Sequence, residues 1–366
     1  MLEGGKITAK QMVLLLFVGR SITWIAFLPV LAAPPENQDV WINCLTGFPI
    51  HLLVALPFYF LAKRFPHQTF FEYTDTILGK LGKLIGILYI LFLIHNAALT
   101  INYFSEFLTT VVMLLTPPLF FKISLLLLAA YAAYKGIENL GRLSELFAPI
   151  ILFTVLVVVL SLVKDMDSKE FLPLLESGVF PSSFLSGFYL ASATIEIIAM
   201  AVILPFLNDC SKLKTVYLTF PLLLGVFVFI ITATVIALFG DDLAKNLTYP
   251  FYNAVRLIQL GNFVERVESI HVALWVLGLS INLSLYLYVM ALGASQVFQL
   301  KTYKPLLLPL VSIIIPVSAM LGKNIVELKE FTSFQIHPWF TIIFIFIIPF
   351  LLLLTAIIRK QGDYQP

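Results

Sequence analysis

The sequence predicts an all-α integral membrane protein with ten transmembrane helices. Of its 366 residues, 60% are hydrophobic and only 12% are charged, whereas a soluble globular domain carries roughly 25% charged residues. The mean hydropathy of +0.97 comes from apolar runs along the whole chain, not from one membrane anchor. We therefore interpret residues 1–366 as a single transmembrane domain.

Ten apolar stretches have about the length of 20 residues that is needed to cross a hydrocarbon core. They are predicted to be helices because no alternating barrel pattern occurs and lipid offers the backbone no hydrogen-bond partners. The fourth stretch is the shortest, since Pro117, Pro118 and Lys135 bound it. The predicted spans lie near 11–33, 41–61, 84–113, 119–134, 146–163, 184–207, 216–239, 269–294, 305–322 and 339–358.

The distribution of basic residues predicts that both termini are cytoplasmic. With the N-terminus inside, cytoplasmic segments contain 14 Lys and Arg residues and external loops contain 8. An excess of Lys and Arg marks the cytoplasmic side of a membrane protein.

The motifs of soluble enzymes are missing from the sequence. HExxH, GxSxG and P-loop patterns do not occur, and the five histidines have no metal-ligand spacing. Cys44 and Cys210 are predicted at opposite membrane faces, so they cannot pair within the chain. We therefore expect no enzymatic activity, no cofactor, no metal site and no nucleic-acid partner.

The ten predicted spans divide into two halves of five, at about 8–163 and 184–358. Because five is odd, the second half enters the membrane from the opposite side, which produces an inverted repeat. Transporters with this architecture form their ligand site at the midplane, from the discontinuous first helix of each half. The sequence therefore predicts breaks in helices one and six, with a pocket between them.

Each of these two helices carries one ionisable residue near its centre. Arg20 lies in helix one beside Gly19 and Ser21, and Glu196 lies in helix six after Thr194. A charge in a membrane span costs about 2.5–3.5 kcal/mol on insertion scales, so it normally meets a partner or a cavity. Arg20 and Glu196 either form a structural ion pair or line a cavity, where they would hold a ligand's carboxylate and its ammonium or a proton. In a third interpretation, Arg20 snorkels to the cytoplasmic face.

Two further sets of polar residues are candidates for the pocket. In span three, Asn102 and Glu106 share one helix face with His95 and Thr109, and either form a cavity wall or connect neighbouring helices. In span eight, Ser280 and Ser284 share a face. They either coordinate a cation together with free carbonyls or bond to their own backbone.

The outer loop after span seven predicts a short amphipathic helix over the extracellular mouth. Apolar residues recur at helical spacing over residues 250–261, and Gly261 is a stop signal. Three charged residues follow, and they either anchor the start of span eight or gate the external vestibule. These residues are Glu265, Arg266 and Glu268.

Several motifs, in order along nearly the whole chain, resemble the spore germination AB family, which comprises the permease-like B subunits of nutrient germinant receptors. That family is similar to the amino acid/polyamine/organocation transporters. The matching segments are "KITAKQ", "LPVLAAPPENQDVW", "LAKRFPHQTFFEY", "NYFSEFLTTVVMLLTP", "KGIENLGRLSELFAP", "FLPLLESG", Glu196 and "YPFYNAVRLIQLGNFVERVESIHVALWV".

The resemblance implies a LeuT-like fold of ten helices with a pocket for a small germinant, often an amino acid, between helices one, three, six and eight. It also implies assembly with a receptor A subunit and a C lipoprotein subunit in the spore inner membrane, where the protein senses its ligand. Two alternatives remain open at this point: a proton-coupled amino acid transporter, and a structural subunit or ion pore without a small-molecule ligand.

The sequence departs from the family pattern at both expected breaks. Helix one reads "VGRSITW" in place of a glycine-rich break, and helix six reads "SATIE" in place of a Pro-Phe-Gly-Glu-like break. An arginine side chain therefore stands where free backbone amides would hold a ligand carboxylate. The ligand of such a pocket need not be an ordinary α-amino acid.

Overall fold

The computed structural model describes residues 4–34, 36–176, 178, 180, 182–258, 267–322 and 324–362. Over these ranges the chain is helical apart from turns, loops and one isolated β-bridge between Ile7 and Leu207. The helices are α1 Ala9–Phe27, α2 Val40–Thr46, α3 Phe48–Arg64, α4 Phe70–Leu78, α5 Lys80–Phe107, α6 Pro118–Tyr134, α7 Ile137–Leu162, α8 Ser182–Ser192, α9 Glu196–Ile203, α10 Leu213–Asn246, α11 Pro250–Arg256, α12 Val267–Val297, α13 Leu307–Met320, α14 Ile325–Phe331, α15 His337–Ile342 and α16 Ile348–Ile358.

The predicted all-α membrane architecture is confirmed. Among the described residues, seven helical segments are long and apolar enough to cross a membrane, and two bent helix pairs bring the total to as many as nine. The apolar helix α6 has 17 residues and occupies the position of the fourth predicted span. The count of ten spans therefore stays a prediction.

The predicted break in helix six is confirmed. Helix α8 ends at Ser192, α9 begins at Glu196, and the two axes are bent by 52°. Ser192 and Thr194 donate their hydroxyls to carbonyls of the preceding turn, 2.7 and 2.9 Å away. Such bonds compete with the helical ladder, as expected for a run of small and hydroxylated residues.

Helix one is interrupted within its predicted span, but later than the midplane position beside Arg20. Helix α1 is continuous from Ala9 to Phe27, and the chain leaves helical geometry only at Leu28, which has φ 40°. The physical reason is that Gly19 is the single poor helix former near the centre, and one glycine costs only about 1 kcal/mol relative to alanine.

Helices α1 and α12 form the centre of the molecule. Helix α1 packs against α7, α10 and α12, and α12 also packs against α5 and α6. Leu15, Leu16, Phe17 and Val18 are all fully buried, and Arg20 is only 7% exposed. The arginine therefore contacts protein, and the interpretation in which it snorkels to the cytoplasmic face is wrong.

The amphipathic helix after span seven is shorter than predicted. Helix α11 ends at Arg256 instead of residue 261, and it packs against α1, α10 and α12 through buried residues such as Phe251 and Val255. Glu268 lies in the first turn of α12. Glu265 and Arg266 lie outside the described residues.

The N-terminal segment closes one end of the α1 bundle through what we call the N-terminal clamp, residues 6–11 with 138–145 and 205–208. The Ile7 N–H donates to the Phe206 carbonyl at 2.9 Å, and the Asn208 N–H donates to the Ile7 carbonyl at 3.0 Å. The Lys10 ammonium lies 2.7 Å from the Glu145 carboxylate. Two of the sequence motifs, "KITAKQ" and "KGIENLGRLSELFAP", are thus in direct contact.

Two other motifs meet at the opposite end of α1, in what we call the Asp39 clamp, residues 38 and 39 with 173–176. The carboxylate of Asp39, 3% exposed, accepts hydrogen bonds from the Leu175 N–H at 2.7 Å and the Glu176 N–H at 3.0 Å. Gln38 donates to the Pro173 carbonyl at 2.5 Å. The clamp fixes the outer loop "FLPLLESG" against the segment that follows α1.

Candidate functional site

The structure brings the two oppositely charged intramembrane residues together at the centre of the bundle. The Nε atom of Arg20 on α1 lies 3.9 Å from Oε2 of Glu196 at the start of α9. Their side chains are 9% and 0% exposed. The distance defines an ion pair but is too long for a hydrogen bond, which requires about 3.2 Å or less between nitrogen and oxygen.

Glu196 is held mainly by α12. Its Oε1 accepts a hydrogen bond from the Tyr286 hydroxyl at 2.9 Å and one from Asn282 Nδ2 at 3.2 Å. Asn282 Nδ2 also donates to the Gly19 carbonyl at 2.5 Å. A Cβ at Gly19 would lie 3.5 Å from Asn282 Nδ2 and 3.8 Å from Glu196 Cγ. Helices α1, α9 and α12 therefore meet at this glycine, and one amide joins all three.

The guanidinium of Arg20 keeps its terminal nitrogens available. Nε is buried without a hydrogen bond, and Cζ lies 5.4 Å from the centre of the Trp24 ring, within cation–π range. Nη1 and Nη2 make no hydrogen bond to a described residue and are not among the buried unpaired atoms. Since Arg20 lines a cavity, these two nitrogens present a planar donor fork to it.

The cavity has a volume of about 200 Å³ and extends from Arg20 to the molecular surface. A water molecule takes up about 30 Å³ in the liquid, so the space accommodates a small solute. Its walls come from α1, α5, the α8–α9 break, α12, α14 and the start of α15. Lys245, Lys329 and Ser333 lie near its mouth, where both lysines are exposed.

The charged groups in the cavity wall are all basic. Arg20, Lys245 and Lys329 line it, and the described lining residues include no Asp or Glu. Lys245 is paired with Asp242 at 2.8 Å and Asp241 at 3.7 Å. Lys329 makes no ion pair within the described part of the chain, so its charge remains uncompensated beside the cavity.

Of the predicted site residues on α1 and α9, the structure groups Gly19, Arg20 and Glu196. Only Arg20 borders the cavity directly. The Ser21 hydroxyl donates to the Val18 carbonyl at 3.3 Å, inside its own helix. Thr194 borders a second, much smaller pocket of about 20 Å³ beside α2, α3 and α10.

The predicted residues of span eight use their hydroxyls within α12. Ser280 donates to the Val276 carbonyl at 2.8 Å, and Ser284 donates to the Ser280 carbonyl. This geometry matches the backbone-bonding alternative for these two serines. Neither serine lines the main cavity.

Asn102 and Glu106 of span three lie outside the cavity, and Asn102 contacts α6 and the bend after α13. Asn102 accepts a hydrogen bond from Lys122 Nζ at 2.6 Å and donates to the Gly322 carbonyl at 3.1 Å. It therefore connects α5 to α6 and to the bend between α13 and α14. Glu106 lies one turn further along α5, and neither residue lines the cavity.

Sequence reasoning missed most of the cavity wall. Tyr286, Trp24 and His337 contact the cavity or the arginine, but an aromatic residue in an apolar helix gives no separate signal. Lys245 and Lys329 were counted only as loop charges, because their positions depend on how α10 ends and how α14 folds back. Asn282 was visible as a polar residue in span eight, but its contacts were not.

Comparison with known proteins assigns the motifs to one family. A family model described as "Spore germination protein" matches residues 6–328. Spore germination protein KB of Bacillus subtilis (strain 168) is 27% identical over 98% of this chain and 97% of its own length. Spore germination protein YndE of the same organism is 24% identical over 98% of each chain.

Comparison with solved structures gives the fold. A Na⁺-coupled sialic acid symporter in a substrate-bound outward-open state is 13% identical, with a TM-score of 0.66 over 87% of this chain and 75% of the other. The nucleobase–cation symport-1 family transporter Mhp1, with bromovinylhydantoin bound, is 14% identical, with a TM-score of 0.68 over 90% and 74%. The predicted LeuT-like transporter fold is thereby confirmed.

Proposed function

Because the chain belongs to the spore germination protein family, we propose that it is the membrane subunit of a nutrient germinant receptor. In this role it binds a small germinant of amino-acid size in the Arg20 cavity, and binding triggers germination. One observation carries the proposal. Arg20 is 7% exposed and lines a cavity that opens to the surface, and its Nη1 and Nη2 make no hydrogen bond to a described residue.

The arrangement around Arg20 supports a mechanism of ligand sensing. A carboxylate that accepts two hydrogen bonds from the guanidinium fork forms a strong, directional contact. The same guanidinium is paired with Glu196, whose other oxygen is fixed to α12. Binding therefore changes the charge balance where α1, α9 and α12 meet. A ligand shifts a two-state equilibrium only by its difference in affinity for the two states. We propose that the contacts that differ between the two states are those where α1, α9 and α12 meet.

The cellular setting is also part of the proposal. The receptor assembles with an A subunit and a C lipoprotein subunit in the spore inner membrane, with both termini cytoplasmic. The spore germination proteins of Bacillus subtilis that resemble this chain over nearly its full length support the setting. In this orientation the cavity mouth, with Lys245 and Lys329, faces outward.

The test uses the purified protein in proteoliposomes with an inward proton gradient and a panel of radiolabelled amino acids, sugars and nucleosides. Saturable binding without accumulation is the expected result, and R20Q should reduce it at least tenfold. The exposed loop variant K164M is the matched control and should bind as the wild type does. Spores carrying R20Q should fail to germinate with the ligand so identified. Absence of saturable binding to every member of the panel would refute the proposal.

A proton-coupled amino acid transporter is the second candidate. It is favoured by the buried Glu196 carboxylate, whose Oε2 has no hydrogen bond, and by a fold shared with symporters. Buried acidic residues in membrane spans commonly carry protons. Gradient-driven accumulation of ligand in the same proteoliposomes, lost in E196Q, would identify the chain as a transporter.

A further inference from the structure

We propose that the cavity is selective for a carboxylate anion with an apolar body and that it does not use the ammonium group of an amino acid. This inference rests on the proposed function, because it names the ligand class of the same cavity. Its starting point is the composition of the wall, which contains three basic side chains and, among its described residues, no acidic one.

A ligand ammonium would find no counter-ion among the described residues of the cavity wall. The nearest buried carboxylate, that of Glu196, stands behind Arg20. It does not line the cavity, and its Oε1 already accepts two hydrogen bonds. The aspartates beside Lys245 do not line the cavity either. Taking an ammonium out of water without a partner costs several kcal/mol, and the guanidinium adds repulsion.

A carboxylate, in contrast, meets compensation along its whole path. Lys329 is exposed at the mouth and makes no ion pair with a described residue, so it attracts anions from solution. At the deep end, the Nη1 and Nη2 fork of Arg20 matches the two carboxylate oxygens. A basic residue at each end of the cavity therefore favours one sign of ligand charge.

The rest of the wall selects the ligand's body. Polar side chains such as Thr23, Asn96 and Thr100 form a minority of the described wall, and most of it is apolar or aromatic. A wall of this composition fits a ring or a branched aliphatic chain better than a polyhydroxylated one. The apolar and aromatic residues include Phe27, Leu99, Tyr103, Phe104 and Tyr189.

The experiment measures binding of two matched ligand series to the full chain in proteoliposomes. The aromatic series is 3-phenylpropanoate, L-phenylalanine, 3-phenylpropanamide and 2-phenylethylamine. The aliphatic series is 4-methylpentanoate, L-leucine, 4-methylpentanamide and 3-methylbutylamine. In at least one series, we expect the plain carboxylate to bind at least tenfold tighter than the amide and the amine. Its affinity should be no more than threefold below that of the amino acid.

Other results overturn the inference in distinguishable ways. An amino acid that binds more than threefold tighter than its deaminated acid shows that the ammonium is recognised, and the proposed germinant site then survives without this refinement. An amide whose affinity lies within tenfold of that of its acid shows that the cavity does not recognise the carboxylate charge. If neither series binds while another solute of the panel does, the inference fails alone. If no solute binds, it fails together with the proposed function.

Two variants test the ends of the cavity separately. K329M should slow carboxylate association several-fold in 20 mM salt and leave it unchanged in 1 M salt, because mobile ions screen exposed charges. The matched control K164M removes an exposed loop cation elsewhere and should not change the rate. Equal rates for the two variants in low salt would overturn the role of Lys329. R20K, which keeps the charge but loses the fork, should weaken the carboxylate and leave the amide unchanged.

Discussion

Replacing Arg20 by methionine should destabilise the protein, and the second substitution E196Q should restore most of the loss. R20M removes the only cation within ion-pair distance of Glu196 among the described residues, and it leaves a fully buried carboxylate. E196Q removes that charge. A glutamine can still accept the hydrogen bond from Tyr286, which now ends on Glu196 Oε1.

The magnitude follows from the separation of the two groups. Charges 3.9 Å apart attract by about 4 kcal/mol at an effective dielectric constant of 20. Breaking a buried pair by removing one partner typically costs about 3–5 kcal/mol. We therefore expect R20M to lower the free energy of unfolding by about 3–5 kcal/mol. The double variant should regain at least 2 kcal/mol of this loss. The magnitude of the coupling energy is this regained stability plus the destabilisation caused by E196Q alone.

The assay is a double-mutant cycle of thermal unfolding in detergent micelles at one fixed scan rate. The control cycle uses K10M and E145Q. That pair is closer, at 2.7 Å, but its side chains are 70% and 38% exposed, so its coupling should not exceed about 1 kcal/mol. A coupling for Arg20 and Glu196 no larger than that of the control would refute the reasoning, because burial would then add nothing to the pair.

Three further outcomes are expected from other contacts. G187A should lower the unfolding temperature strongly, since its Cβ would lie 2.5 Å from Gly47 Cα, whereas G225A, with its nearest atom at 3.7 Å, should be tolerated; the two melting curves measure the difference. D39A should speed proteolytic cleavage of the outer loop, because two backbone N–H groups lose their acceptor; cleavage at the wild-type rate would contradict this role. Y286F should cost about 1.5–3 kcal/mol, the usual contribution of a hydrogen bond to a charged group; unfolding at the wild-type temperature would show that the hydroxyl does not hold the carboxylate.

The sequence contained enough information for the fold class and for the pairing of helices one and six. Apolar length identified the spans, and the inverted repeat, together with small and hydroxylated residues from Ala191 to Thr194, indicated the break before Glu196. Opposite charges at corresponding positions of two half-repeats pointed to one shared location, because an isolated charge in lipid is too costly. These inferences succeed because each rests on a local or a symmetry-based constraint.

The same reasoning failed where long-range packing decides the structure. Symmetry between the repeats predicted a break of helix one beside Arg20, but α1 is enclosed by α7, α10 and α12, and its backbone stays helical until Leu28. The stripe of Asn102 and Glu106 was on one face as predicted, yet that face turns toward Lys122 and Gly322. The spacing of the stripe shows which residues share a face, but it does not show whether that face meets a cavity or a neighbouring helix, because polar side chains in a membrane span do either.

Four of the motifs that resemble the germination family contact one another in pairs at the two ends of α1. Two of them form the N-terminal clamp at one end of α1, and two others form the Asp39 clamp at its opposite end. The first end is sealed, because Leu15 to Val18 are fully buried and Lys6 donates to the Pro205 carbonyl below them. The cavity opens at the other end, beside Lys245 and Lys329. A change that opened the cavity toward the first end would have to release the N-terminal clamp. Its release breaks one salt bridge and two backbone hydrogen bonds near the start of α1. Helix α1 runs without interruption from the N-terminal clamp to Arg20. Under the proposed function, a ligand on the guanidinium and a release of the clamp would therefore act on one continuous helix.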